Sequence, residues 1–192
     1  MDLRELLILS LQYVVFPFWI AAGFVDYWCH RRTAIESTSG YKESLLHAVQ
    51  FVQIAVAIGI ALAFRIDSAV LVVLFALVLV HAATGVWDVA YTSSRRYIAP
   101  LEQHAHSYME TAPFIAFAIA VLLSWNDVSF LGGDSRTGEV WVLRADSLNR
   151  GALVEVVVGL GLAGLAIGEE LWRTWTAYHD AVQLGDVKRR LA

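Results

Sequence analysis

The chain has 192 residues, 58% hydrophobic and 17% charged, with a mean hydropathy of +0.57, whereas soluble domains carry about 45–50% apolar and about 25% charged residues. So little polar surface excludes a water-soluble globule, and a formal net charge of -4 offers nucleic acid no basic footprint. A single cysteine, Cys29, excludes an internal disulfide and any multi-cysteine metal or redox motif.

A helix rising about 1.5 Å per residue crosses the hydrocarbon core in about 20 apolar residues, and five segments meet that requirement. The first, residues 6–25, is apolar apart from Ser10 and Gln12, with Pro17 as a kink; Asp2 and Glu5 beside Arg4, and the lack of a small-x-small cleavage site, argue against a signal peptide. The second, 44–64, is uncharged when His47 is neutral. The third, 68–92, is interrupted over Ser68 to Trp87 only by His81, Thr84 and Gly85. The fourth, 100–126, starts at Pro100, and the fifth, 151–172, carries Glu155, to which no role is assigned. Between the last two, residues 127–150 form a loop in which Gly132-Gly133 and the run Gly138 to Leu143 predict a small hairpin. Beyond span five, Leu171, Trp172, Trp175 and Tyr178 predict an amphipathic helix over the tail, 173–192, with its aromatics at headgroup level and His179 exposed beside them. The expected fold is therefore an all-α membrane protein, one domain over 1–192.

Orientation follows from Lys and Arg, which are enriched in cytoplasmic segments. Nine (Arg31, Arg32, Lys42, Arg95, Arg96, Arg173, Lys188, Arg189, Arg190) fall on one side and five (Arg4, Arg65, Arg136, Arg144, Arg150) on the other. The N-terminus is expected outside and the C-terminus in the cytoplasm, as for a protein of the inner (cytoplasmic) membrane. The 127–150 loop is then extracytoplasmic. The Arg31-Arg32 and Arg95-Arg96 pairs are read as topological, with lipid phosphate as a secondary partner.

Five of the six histidines (His30, His47, His81, His104, His106) fall at or near the cytoplasmic ends of spans one to four, together with Asp26, Glu36, Glu43, Asp88, Glu102 and Glu110. Residues four or seven apart share a helix face. Asp26 and His30 stand four apart, as do Glu43 and His47. His81 and Asp88 stand seven apart, and Glu102, His106 and Glu110 form a row at intervals of four. Four helices thus each present a row mixing His with Asp or Glu; such groups are costly at membrane depth unless paired or bound to a cation. The expected ligands are Asp26, His30, Glu36, Glu43, His47, His81, Asp88, Glu102, His106 and Glu110, with Glu36 and Glu43 as ligands or as orienting groups. Simpler roles exist for three of them: Glu43 and Glu102 in first helical turns complement the dipole, and Glu36 lies in a polar loop. His104 is out of phase with its neighbours and is left aside.

Imidazole and carboxylate together suit iron, manganese or zinc, and so many donors exceed one four-coordinate zinc. Two metal ions, iron first and zinc or manganese as alternatives, are the economical expectation. With an acid four residues before His30 and the His104-Ala-His106 cluster, the arrangement resembles the integral-membrane diiron hydroxylases and desaturases. Their HxxxH and HxxHH motifs are missing, and carboxylates stand where those enzymes mostly carry histidine. The resemblance implies an oxygen-dependent oxidoreductase acting on a membrane lipid or another hydrophobic substrate. Lacking nucleotide-binding fingerprints and cysteine clusters, the chain would need a separate electron donor. Alternatives are a zinc-dependent lipid hydrolase with Glu110 or Glu43 as base, and a non-enzymatic haem or metal-binding membrane protein, such as a cytochrome with His47 and His81 as axial ligands or a cation permease.

Overall fold

A computed structural model describes residues 1–125, 141–144 and 149–191, with the side chains of the last helix described as far as residue 185. Five helices among these are long and apolar enough to cross a membrane: α1 (Leu3–Thr33), α2 (Tyr41–Ala63), α3 (Ser68–Ser93), α4 (Pro100–Leu123) and α5 (Arg150–Leu191). Of the hairpin expected over Gly132-Gly133 and Gly138 to Leu143, residues 132–140 lie outside the described residues, and Leu143 pairs with Phe64.

The helix ends differ from those drawn by hydropathy, because apolarity marks where the lipid stops and hydrogen bonding marks where the helix stops. α1 runs on through the polar stretch Asp26 to Arg32 and ends at Ala34, which adopts a left-handed conformation (φ 48°) while its N–H donates to the carbonyl of His30. Gly40 (φ 69°) then supplies the second left-handed residue of the turn. Between them Ile35, fully buried, anchors a 3-10 turn over Ile35–Ser37. The kink expected at Pro17 takes a specific form. Proline lacks an N–H and its ring crowds the carbonyl four residues earlier, and the preceding turn, Leu11–Val15, widens to π-helical hydrogen bonding.

α3 is capped by Asp67, whose carboxylate accepts from Val70 N–H at 2.9 Å and from Trp141 N–H at 3.3 Å. That second bond, with an antiparallel bridge between Phe64 and Leu143, fastens residues 141–144 to the α2–α3 turn.

The principal helix contacts close a ring in the order α1, α4, α3, α2, α5 and back to α1. Glycines allow α5 its close approach: a Cβ on Gly159 would lie 2.8 Å from the Phe16 ring of α1, and one on Gly164 would lie 3.3 Å from Phe51 of α2. The ring's outside is apolar, with Phe18, Val52, Val72, Val86 and Leu165 exposed. Its inside holds Asp26, His30, Glu43, Asp88, Glu102 and Glu170, all buried. This inversion of the soluble-protein pattern suits a bundle whose solvent is lipid.

Candidate metal centre

The antiparallel threading of the ring brings the C-terminal ends of α1 and α3, the N-terminal ends of α2 and α4, and the middle of α5 to one level. Each helix contributes to a single polar cluster there: Asp26 and His30 from α1, Glu43 and His47 from α2, Asp88 from α3, Glu102 and His106 from α4, and Glu170 from α5.

Glu170 organises it. The His30 Nδ1–H donates to Glu170 Oε2 at 2.8 Å, and the His47 Nδ1–H donates to Oε1 at 2.9 Å. A carboxylate only accepts, so both protons are assigned to Nδ1. The two rings stack, with centroids 4.7 Å apart and planes within 5° of parallel. Both Nε2 atoms are thereby turned away from Glu170, His47 Nε2 to a hydrogen-bond contact with Asp88 Oδ2, as in sites where a carboxylate fixes the orientation of a metal-ligating histidine.

His30 Nε2 faces Asp26 Oδ1 at 3.4 Å, Glu102 Oε1 at 3.4 Å and Glu43 Oε1 at 3.6 Å, and His106 Nε2 lies 2.8 Å from Asp26 Oδ1. Yet His30 Nε2, His106 Nε2 and Asp26 Oδ1 are buried without a hydrogen-bond partner among the described residues. Atoms that share a cation approach one another in this way, as do the partners of an ion pair. Metal–ligand bonds of about 2.1 Å place neighbouring ligands about 3.0 Å apart in an octahedron and about 3.4 Å apart in a tetrahedron. His47 Nε2 lies 3.0 Å from Asp88 Oδ2. Three overlapping groups have donor atoms close enough for one ion: Asp26, His30, His47 and His106; His30, Glu43 and Glu102; and Glu43, His47 and Asp88.

Arg96, in the α3–α4 connection, closes the cluster from its far side. Its guanidinium donates to both oxygens of Glu43 and both of Glu102. Burial opposes its charge, but these bonds to Glu102 and Glu43 outweigh that and raise its pKa above the ordinary arginine value. The sequence reading gave Arg96 a topological role and missed Glu170. The acids at the first turns of α2 and α4, for which complementing the dipole was a sufficient explanation, are fully buried against His30 and Arg96.

The remaining sequence candidates lie elsewhere. Glu36 pairs with Arg173, which also binds Glu169; Glu169 in turn accepts from Arg31 and Tyr27, so these residues clamp α1 to α5 outside the cluster. His81 and Glu110 sit deeper in the bundle. A Cβ on Gly85 would lie 2.8 Å from Glu110 Oε1, so the glycine gives that carboxylate room. His104 and His179 are exposed, the latter 4.1 Å from the Trp175 ring centroid.

Below the cluster a cavity of about 100 Å³ opens toward the bundle centre. Asp26, His47, Asp88, His106 and Glu170 form one end, apolar side chains such as Ile20, Phe51 and Ile167 the walls, and His81, Gln50 and Glu110 also border it.

The chain matches no protein-family model, no curated protein and no solved structure.

Proposed function

We propose that the cluster is a dinuclear metal centre, with iron as the metal, in a membrane oxidoreductase whose hydrophobic substrate enters from the bilayer. The observation that carries this reading is the set of facing nitrogen and oxygen atoms around His30 Nε2 and Asp26 Oδ1, unbonded to one another at ligand-to-ligand distances. Charge supports the number of ions. With neutral imidazoles, Asp26, Glu43, Asp88, Glu102 and Glu170 against Arg96 leave four negative charges in a buried site, and two divalent cations cancel them.

The donors are nitrogen and oxygen, a set that iron, manganese and zinc accept. Iron at such a site supplies one-electron chemistry and oxygen activation. The chain's own residues would do the rest. Asp26, His30, His47, Asp88 and His106 would hold the ions, Glu43 and Glu102 would share their charge with Arg96, and Glu170 would orient the imidazoles. The apolar cavity walls would present a hydrocarbon segment and exclude bulk water, and a separate protein would deliver electrons.

Sidedness is part of the proposal. The excess of Lys and Arg on that side supports a cytoplasmic position for the cluster's end of the bundle. At that end Arg32 lies over Trp28, Lys42 over Trp87 and Tyr91, and Arg95 over Tyr91, a belt of cations and aromatics suited to the headgroup layer.

The test is metal per protein after purification in detergent. Two irons per chain, with the optical and Mössbauer signature of coupled iron, are expected. Replacing His30, His47, His106 or Asp88 with Ala should each remove most of the metal, whereas Glu155→Ala and His179→Ala should leave it near wild type. Stoichiometric zinc with activity independent of reductant would replace the oxidoreductase by a hydrolase. Full metal in all four ligand variants, each monodisperse, would reduce the cluster to a network of ion pairs.

A further inference from the structure

The cavity has a second polar feature that a metal centre does not use. His81 is 4% exposed, and neither ring nitrogen has a hydrogen-bond partner among the described residues. The backbone carbonyls of Gln50 and Met109 lie beside the ring. Trp19, across the interior on α1, likewise has a buried indole Nε1–H without a partner. Both side chains line the cavity. Their depth is the same: Trp19 precedes Asp26 by seven residues on α1, His81 precedes Asp88 by seven on α3, and both helices run toward the cluster. Seven residues are two turns, roughly 10 Å along the axis.

An indole donates only, and a neutral imidazole donates through one nitrogen and accepts through the other. Their shared complement is a small oxygen group, either a hydroxyl that accepts from Trp19 and donates to His81 or a carbonyl that accepts from both. We infer that the cavity binds a slender aliphatic molecule by one hydroxyl or carbonyl oxygen held between Trp19 and His81, with its hydrocarbon segment directed at the metal cluster. The apolar walls suit an unbranched aliphatic segment. The inference names the substrate class for the proposed centre and so rests on that reading for its catalytic meaning, but the binding itself does not require metal.

A six-carbon alcohol carrying a mid-chain diazirine is the probe, photolysed with the full-length protein in nanodiscs and mapped by peptide mass spectrometry. Labelling is expected on cavity residues such as Phe51 and Met109. It should be displaced by 1-hexanol and 2-hexanone at concentrations about tenfold below those needed for hexane, the factor one good hydrogen bond supplies. In Trp19→Phe/His81→Leu that preference should vanish, with metal content and size-exclusion profile unchanged. Should the double variant misfold, His81→Gln, which retains a donor and an acceptor, is compared with His81→Leu and should keep the preference that the leucine loses. Equal displacement by alkane and alcohol, no displacement by either, or a preference that survives in the variants would each overturn the inference. Oxygen-selective labelling of a protein that carries no metal would leave the cavity site standing and remove the metal-centre reading. A metal-loaded protein without that selectivity would do the reverse.

Discussion

Glu170 holds two imidazoles on one carboxylate, and this makes a sharp prediction at the scale of a single atom. Glu170→Gln keeps the shape but replaces one accepting oxygen with an amide NH2, so one of the two Nδ1–H donors meets another donor. Metal affinity should fall about 10–100-fold, as when the carboxylate behind a ligating histidine is lost; competition with a chromophoric chelator measures it, and unchanged affinity would make Glu170 a bystander. Arg96 makes a second prediction. Removing one partner of a buried ion pair costs about 3–5 kcal/mol, so Arg96→Met should lower thermal stability sharply, since Glu43 and Glu102 lose their counter-charge. Added metal should restore more stability to this variant than to wild type, because the ions then carry the neutralisation alone. Equal stabilisation of both would separate Arg96 from the centre. The two residues were hidden in the sequence for a common reason. A row at intervals of four reveals partners on one helix, whereas Glu170 finds its partners on α1 and α2, and Arg96 stands in a connection with no period at all. One sign was present: Glu169-Glu170 closes the apolar run of span five at the level where the other spans end in acid and histidine.

The helices themselves were legible because lipid demands long apolar runs, and all five expected segments are helical. What hydropathy could not locate was the stretch where α1 continues past its apolar part, since Asp26 and His30 are tolerated there only through partners on α2, α4 and α5. Helical phase was informative within each row but blind to depth. His81 shares a face with Asp88 and Glu110 with His106, yet both lie too far along their helices to join the cluster. Packing between helices is testable at Gly159. Valine there would drive its side chain into the Phe16 ring, where even a Cβ comes to 2.8 Å, and push α5 away from α1. Overpacking of this kind costs about 1–3 kcal/mol, and here it would also shift Glu170, so both the melting temperature and bound metal should fall. Phe16→Ala should recover much of both when combined with Gly159→Val. Independent, additive losses in the double variant would show that the contact does not set the position of α5.

At the scale of the whole molecule, topology is open to direct measurement. Ser37 is exposed in the α1–α2 connection while Cys29 is buried, so Ser37→Cys adds one accessible thiol. A membrane-impermeant maleimide should label it in inverted vesicles and leave it unlabelled in intact cells; the opposite pattern would turn the bundle over. Metal removal is the other global test. Ions that bind only the folded ring stabilise it in proportion to their affinity, so a chelator should lower the melting temperature of wild type and leave that of His30→Ala nearly unchanged. α5 gives the assembly one further property. It is continuous over 42 residues, roughly 63 Å at the usual helical rise, about twice the thickness of a hydrocarbon core, and Glu170 stands near its midpoint. The half beyond Glu170 is tied back to the rest of the bundle by Arg173 to Glu36 and by Trp175 and Tyr178 against Tyr41. The carboxylate that faces two imidazoles is thus held from both directions along its own helix, and cutting the tie to Glu36 with Arg173→Ala should loosen the site without touching a ligand.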